Sequence, residues 1–261
     1  MEQQNNYKID RRKLTLTIGV IVTAALILWF TFRKKHSEVK DILVEVQHLQ
    51  DGQNDLIKET DIKQIIRKGF DKKMDSAPIG DVDIARVEGM IKQDPFVENA
   101  ESFIDVSGNL NVKVTQKEPI LRIIDNNGQN YYLDKKGFRI PLSKYFAPRV
   151  TIITGAVPPY MIDFLSKKNY VLNHVFTLVQ TLNSDPFFEP MIQQIIVDAT
   201  GEFTLIPIIG DQKIRIGTLD DLNGKLERIK IFYKEALPYE GWQKYKTISV
   251  KYKGQIVCKK K

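Results

Sequence analysis

The sequence has 261 residues, 43% hydrophobic and 27% charged, which is typical of a folded protein with room for one or two cores. Its net charge of +7 arises from ten lysines and arginines in three short segments, 8–13, 33–35 and 259–261. Elsewhere acidic and basic residues nearly cancel, which argues against a nucleic-acid-binding protein. The single cysteine, Cys258, excludes an intramolecular disulfide and a zinc cluster built from thiolates.

The clearest signal is an uncharged apolar run of nineteen residues from Leu14 to Phe32. As a helix it would be about 28 Å long, close to the hydrocarbon thickness of a bilayer, so it predicts one transmembrane helix. The alternatives are a cleaved signal peptide and a buried core helix. The run ends in aromatic residues and Arg33–Lys35 without a small-residue cleavage site, and nothing amphipathic interrupts it, which favours an uncleaved anchor. Because the bulk of the chain follows the helix, the N-terminus is expected in the cytoplasm.

The stretch after the anchor predicts the element order β-α-α-β-β. Residues 39–49 are rich in β-branched side chains and predict a strand. Thr60 is expected to cap a first helix and Asp83 a second. Two more strands are predicted over 97–106 and 110–115, where apolar and polar residues alternate in the second. This order predicts a small sheet with two helices on one face.

From residue 119 the pattern changes to hairpins and amphipathic helices. Three short strands within 120–140 predict a β-meander. Further strands are predicted at 150–153, 192–197, 202–206 and 213–216. One amphipathic helix is predicted over 165–182. A second should begin at a capping box, Thr218–Asp221, and end at Pro238.

The last predicted element is one strand over 247–258. Its apolar face is Ile248, Val250, Tyr252, Ile256 and Cys258, with Gly254 between them. Packing of that face on the core explains the alternation by itself. A last strand also often lies at the border of a sheet, where it can accept a strand from another chain. The residues alone leave both interpretations open.

No catalytic constellation is found in the sequence. The three histidines, His36, His48 and His174, lack metal-ligand spacing and are expected at surface or boundary positions. Cys258 lies beside a lysine run but has no local histidine partner, so a packed cysteine is the better interpretation. We therefore predict a protein that is not an enzyme and that needs no cofactor or metal.

Three stretches together resemble the FtsQ/DivIB family of bacterial cell-division proteins. The first joins Asp94–Ala100 to Leu110–Pro119, the second is Tyr132–Pro141, and the third joins Gly210–Gly217 to Ile248–Val257. The likeness covers nearly the whole chain, because the order of anchor, small domain and hairpin-rich domain also matches.

The resemblance implies an α+β protein with a single N-terminal transmembrane helix. Its implied parts are a cytoplasmic arm (1–13), the transmembrane helix (14–32), a juxtamembrane linker (33–38), a POTRA domain (39–118), a mixed β domain with amphipathic helices (119–258) and a basic tail (259–261). It also implies a single-pass protein of the bacterial inner membrane, with its ectodomain in the periplasm at the division septum.

The resemblance further implies a divisome scaffold that links early division components to septal peptidoglycan synthesis. Its expected partners are the small bitopic proteins FtsB and FtsL, and its POTRA domain is expected to serve recruitment. On the family pattern, Lys251, Tyr252 and Gly254 fall in the partner-binding strand. Lys251 stands where the family often has arginine, so bidentate recognition of a carboxylate would be lost.

Two rival functions differ from this expectation. One is a POTRA-containing envelope protein that handles other polypeptides, although the residues after 118 are too few for a large transmembrane barrel and include two helices. The other is a membrane-anchored cell-wall enzyme, which the missing catalytic constellation disfavours.

Overall fold

The computed structural model describes residues 18–27, 29, 38–49, 54–70 and 78–261. Residues 18–27 form a helix (α1) whose side chains are exposed. Among the helices of these residues, none reaches eighteen residues with the hydropathy that a bilayer-spanning segment needs. The predicted arm 1–13, both ends of the predicted transmembrane helix 14–32 and most of the linker 33–38 lie outside the described residues.

The described chain divides into two compact units. The first unit holds the described residues up to Gln47 together with Lys58–Thr115. The second unit holds His48–Ile57 and Gln116–Lys261. The chain therefore enters the second unit at residue 48, returns to the first at residue 58 and leaves it again at residue 116.

The first unit has the predicted order β-α-α-β-β. Its elements are β1 (Ile42–Gln47), α2 (Glu59–Gly69), α3 (Ile84–Lys92), β2 (Val97–Ile104) and β3 (Leu110–Gln116). β3 is the middle strand of the sheet and pairs in parallel with β1, which requires the crossover that the helices and β2 provide. Alternate residues of β1 and β3 are buried, as are Ile62 and Ile66 of α2 and Val87 and Ile91 of α3.

The two helices of the first unit begin with different caps. Asp83 accepts a hydrogen bond from the Arg86 N–H at 3.0 Å, which confirms the predicted cap of α3. The predicted cap of α2 at Thr60 is wrong, because Thr60 lies within the helix, which begins at Glu59 after an N-cap at Lys58. The Asp61 carboxylate accepts a hydrogen bond from the Lys58 N–H at 3.2 Å. A side chain of the first turn therefore pairs with the backbone N–H of the N-cap residue.

In its described residues, the second unit contains a nine-stranded mixed sheet and three α-helices. Its strands are β4 (Pro119–Asp125), β5 (Asn130–Asp134), β6 (Arg139–Ile140), β7 (Thr151–Gly155), β8 (Ile192–Val197), β9 (Phe203–Pro207), β10 (Lys213–Gly217), β11 (Tyr245–Ser249) and β12 (Val257–Lys260). Its helices are α4 (Val171–Asn183), α5 (Leu222–Ile231) and α6 (Leu237–Glu240). The strand order is β12-β11-β10-β9-β8-β7-β4-β5-β6, and antiparallel pairing of β4, β5 and β6 confirms the predicted meander.

Two parallel strand pairs explain where α4 and α5 lie. α4 connects β7 to β8 and α5 connects β10 to β11, and each of these pairs is parallel. A crossover between parallel neighbours packs its helix on a face of the sheet. Val175 and Val179 of α4 and Leu226 and Ile229 of α5 accordingly share one core with the inward side chains of the strands.

The first predicted helix of this unit begins later than expected. α4 starts at Val171 and not at Leu165, because a 3₁₀ turn, Phe164–Ser166, precedes it. Asn173 Nδ2 donates to the carbonyl oxygens of Phe164 and Leu165, which satisfies groups that a longer helix would have paired internally.

The second predicted helix differs at both ends. The capping box at Thr218–Asp221 is wrong: the Thr218 hydroxyl donates to Asp220, and Asp221 has a left-handed backbone with φ 51° at the N-cap. Pro238 does not end the helical segment either. A π-helical turn, Phe232–Ala236, leads into α6. Pro238 lies in the first turn of α6, where its missing N–H costs no hydrogen bond within the helix.

Gly155 ends β7 where the neighbouring strand approaches too closely for a side chain. Its φ is +103°, and a Cβ there would overlap the Val197 carbonyl oxygen. We predict that Gly155→Ala lowers the free energy of unfolding by about 3 kcal/mol, through backbone strain and steric overlap together. Gly128→Ala is the control, since φ is +80° in open space there, and it should cost about 1 kcal/mol. Equal losses in urea denaturation would contradict the close-approach explanation.

Gln116 is the last residue of β3 but belongs to the second unit, where it fixes the segment 54–57. Its Oε1 accepts the Leu56 N–H at 2.6 Å and the Ile57 N–H at 3.3 Å, and its Nε2 donates to Asp55 Oδ1 at 2.8 Å. The Gln116 side chain is 3% exposed, so water cannot replace it without rearrangement.

We predict that Gln116→Leu lowers the free energy of unfolding by about 2–3 kcal/mol, because two backbone donors lose their buried acceptor. Gln194→Leu is the matched control. The Gln194 amide donates to the Thr154 hydroxyl at 2.8 Å on a half-buried surface, so its loss should cost less than about 1 kcal/mol. Chemical denaturation of both variants measures the difference, and equal costs would show that burial of the Gln116 contacts is not decisive.

Candidate functional site

β12 forms one edge of the nine-stranded sheet, and within the described residues only β11 pairs with it. The pairing is antiparallel, with Ser249 opposite Val257 and Ile248 opposite Cys258. β11 pairs in parallel with β10, and the Val250 N–H extends that contact by donating to the Arg215 carbonyl oxygen at 3.0 Å. An edge strand of this kind leaves backbone groups on its outer side for another strand.

The predicted single strand over 247–258 is wrong, because a turn separates β11 from β12. Gly254 has φ +67°, a left-handed conformation that reverses the chain, and the Gln255 N–H donates to the Tyr252 carbonyl oxygen at 3.3 Å. The apolar alternation continues through the turn because both arms of the hairpin face the same core. Ile248 is buried before the turn, and Cys258 is half-buried after it.

The three residues predicted to bind a partner, Lys251, Tyr252 and Gly254, lie in this turn and not in a strand. All three are exposed. The prediction that Tyr252 shares the core face is wrong, since 57% of its surface is accessible. The structure therefore brings the three residues together just before the edge strand β12.

Lys251 reaches across the end of β10 to Glu202. Its Nζ donates to Glu202 Oε1, and its stem passes Gly217, where a Cβ would lie 3.0 Å from Lys251 Cγ. Arg215 Nη2 lies 3.9 Å from Glu202 Oε2. One carboxylate thus faces two cations at this end of the sheet.

The turn before β9 holds Glu202 in place. Asp198 Oδ1 accepts hydrogen bonds from the Thr200 hydroxyl, the Thr200 N–H and the Glu202 N–H at 2.7, 2.8 and 3.0 Å. The Thr200 hydroxyl, followed by the Glu202 N–H, lowers the pKa of Asp198. Because the Glu202 carbonyl oxygen also accepts the Asp198 N–H at 3.0 Å, the residue is fixed on both sides of its Cα.

The chain around β12 is strongly basic. Residues 241–261 contain no aspartate or glutamate, and they contain the lysines Lys244, Lys246, Lys251, Lys253, Lys259, Lys260 and Lys261. Lys244 pairs with Glu240, and Lys261 Nζ lies 2.8 Å from Asp211 Oδ2. Lys259 and Lys260 are exposed on β12 itself, so the edge presents positive charge beside its backbone groups.

The residues considered for chemistry are scattered. His48 Nδ1 lies 3.0 Å from Asp55 Oδ1, His174 Nε2 lies 2.7 Å from the Lys168 carbonyl oxygen, and His36 is outside the described residues. Cys258 is half-buried on β12, and burial raises the pKa of its thiol. In the part of the chain that the structure describes, no group of three or more His, Cys, Asp and Glu side chains could hold a metal ion.

Sequence reasoning missed Glu202 and Arg215. The alternation of β10 places Arg215 on the exposed side of that strand, so its exposure could be predicted from the sequence. The contact between Glu202 and Lys251 could not be predicted from the sequence, because the two residues are 49 positions apart.

Two family models match the chain. One, described as FtsQ/DivIB, C-terminal related, matches residues 118–259, and a POTRA-like domain model matches residues 39–115. A relative from Rhodothermus marinus, named cell division protein FtsQ, is 24% identical over 188 residues, which cover 70% of this chain and 67% of the relative. The first match runs from the start of β4 into β12, over more than half of the sequence, and the chain therefore belongs to the FtsQ/DivIB family.

Proposed function

We propose that this FtsQ/DivIB family member is a non-catalytic divisome scaffold whose β12 edge binds an FtsB-like partner. The observation that carries the proposal is the basic edge strand at the border of the nine-stranded sheet. Family membership supports a role in cell division. The edge supplies a physical means of holding another chain, because strand addition uses backbone hydrogen bonds and needs no catalytic group.

The proposed partner segment is extended and acidic. It adds along the outer side of β12, and its carboxylates lie near Lys259, Lys260 and the lysines of the preceding turn. Tyr252 acts as an exposed aromatic anchor, and Gly254 provides the positive φ that leads the chain into β12. Lys251 contributes a point charge where an arginine would form two parallel hydrogen bonds.

The rest of the proposal follows the predicted layout. A transmembrane helix over 14–32 holds the chain in the inner membrane with its N-terminus in the cytoplasm. The POTRA domain, 39–118, recruits other division proteins, and the β domain, 119–258, binds FtsB-like and FtsL-like proteins. Together they connect early division components to septal peptidoglycan synthesis. The POTRA-like match to 39–115 supports the first of these domain assignments.

We predict that deletion of residues 257–261, which removes β12, weakens binding of the FtsB-like protein of the same organism by about tenfold or more. Binding is measured by biolayer interferometry with the full-length chain, and circular dichroism verifies folding. A Lys259→Glu/Lys260→Glu variant keeps the strand and should also weaken binding, by reversing its charge. Arg139→Glu on β6, at the opposite edge of the sheet, is the control. Unchanged binding by the folded deletion variant would exclude β12 as the site.

We also predict that Tyr252→Ala weakens the same binding by about tenfold, because an aromatic anchor at the interface would be lost. Ile162→Ala is the control, since it removes a large apolar side chain that is 80% exposed between β7 and α4. It should change affinity less than about twofold. Equal small effects of both substitutions would show that Tyr252 is not an anchor of the interface.

A further inference from the structure

Large apolar side chains are exposed at the end of the nine-stranded sheet opposite to Lys251. β9 ends at this end, and β10 and β11 begin there, because β9 is antiparallel to β10 and β10 is parallel to β11. The loop between β9 and β10 and the segment that leads into β11 form an apolar tip of four residues, Ile208, Ile209, Tyr239 and Trp242. Their exposed fractions are 59%, 57%, 88% and 39%.

Buried contacts join the two segments of the apolar tip. Gln212 Nε2 donates to the Ile209 carbonyl oxygen at 3.3 Å and to the Tyr233 hydroxyl at 2.9 Å. The Tyr233 ring packs edge-on against Trp242, with ring centroids 5.9 Å apart. Gln212 and Tyr233 are both buried, so the apolar tip is held by the folded core of the second unit.

Lysines surround the apolar tip. Lys213 begins β10 and Lys246 lies in the first turn of β11, and both are exposed. Lys261 Nζ also joins the two segments, because it donates to Asp211 at 2.8 Å and to Gln243 at 2.9 Å. Exposed aromatic and aliphatic side chains bordered by lysines are typical of surfaces that lie in the headgroup region of an anionic bilayer.

The chain enters the sheet at the same end. β4 begins there at Pro119, because β4, β7 and β8 are parallel to one another and β8 is antiparallel to β9. The predicted transmembrane helix, 14–32, precedes β4 in the sequence. Anchoring by that helix would keep the bilayer at a high effective concentration for the rest of the chain, so a weak second contact would suffice.

We propose that the apolar tip inserts into the headgroup region of the anionic bilayer that anchors the chain. The proposal rests on the transmembrane helix of the proposed function. The apolar side chains enter the boundary between headgroups and acyl chains, about 5–10 Å deep, while the lysine ammonium groups stay near the phosphates. An acidic protein surface would pair with the lysines but would not cover four apolar side chains, whereas an anionic bilayer does both.

Trp242 is the reporter that tests this proposal, because the sequence has only one other tryptophan, Trp29. The full-length Trp29→Phe chain is reconstituted into vesicles of phosphatidylcholine and phosphatidylglycerol with bromines near the headgroup end of the acyl chains. Compared with unbrominated vesicles, Trp242 emission should fall at least about twofold. Vesicles of brominated phosphatidylcholine alone should quench less, because the attraction of the lysines is lost.

Two variants serve as controls, and circular dichroism verifies their folding. Trp29→Phe/Trp242→Phe/Tyr252→Trp moves the reporter to an exposed position at the opposite end of the sheet, where bromines should leave its emission unchanged. Trp29→Phe/Ile208→Ser/Ile209→Ser keeps the reporter and removes two exposed apolar side chains, so the quenching of Trp242 should fall to about half or less.

Four outcomes would overturn the proposal. They are absence of bromine quenching at Trp242 in a folded chain that floats with the vesicles, equal quenching of the reporter at position 252, undiminished quenching after the isoleucine substitutions, and quenching by phosphatidylcholine vesicles equal to that by anionic ones. A blue shift of Trp242 emission that grows with protein concentration in detergent without lipid would assign the apolar tip to a second copy of the chain, and so overturn it too.

Flotation separates failure of this proposal from failure of the proposed function. A chain that does not float with the vesicles has no membrane anchor, which would overturn the proposed membrane attachment together with the apolar tip. A chain that floats but leaves Trp242 unquenched keeps its anchor and loses only the second contact.

Discussion

The parallel pairing of β11 with β10 is the contact on which the candidate site depends. Parallel neighbours cannot be joined by a tight turn, so the chain must leave β10, pass through α5 and α6, and return. Ile248 and Val250 stabilise that return because both are fully buried in the core shared with α5. Once β11 is fixed beside β10, the antiparallel β12 necessarily becomes the border of the sheet, and Lys251 emerges next to Gly217 and Glu202.

A polar contact of α5 stabilises the same region. Lys225 of α5 is 4% exposed, and its Nζ donates to the Thr218 carbonyl oxygen at 2.8 Å. Burial lowers the pKa of this lysine, and the charge of Asp220 opposes that effect. The hydrogen bond links α5 to the chain that has just left β10. The connection between the parallel strands is thus fixed by a polar contact as well as by apolar packing.

Periodicity in the sequence was sufficient to identify most elements but not the turns between them. Alternation in 110–115 and the apolar stripe of α4 correspond to real faces, because burial imposes those periods directly. Alternation in 247–258 failed because a hairpin whose two arms face one core keeps the same period across its turn. The glycine at position 254 was the available signal, because glycine is the residue that most readily adopts the left-handed conformation found there.

The candidate site was predictable only in part, for a related reason. Lys251, Tyr252 and Gly254 are neighbours in the sequence, so a resemblance over one segment could locate them together. Glu202 and Arg215 join them only through the strand order β11-β10-β9, which depends on tertiary packing. The sequence likewise predicted neither the left-handed backbone of Asp221 nor the π-helical turn after α5.

The basic character of β12 resolves a difficulty that any exposed strand edge creates. Two copies of an uncharged edge can pair with each other, since backbone groups are the same in every chain. Pairing of two β12 strands would bring Lys259 and Lys260 of both copies together, and like charges on adjacent strands destabilise the pair. The same lysines attract a strand of opposite charge, so one feature disfavours self-association and favours an acidic partner. The exposed edge can therefore accept an acidic strand while its lysines disfavour pairing with a second copy of β12.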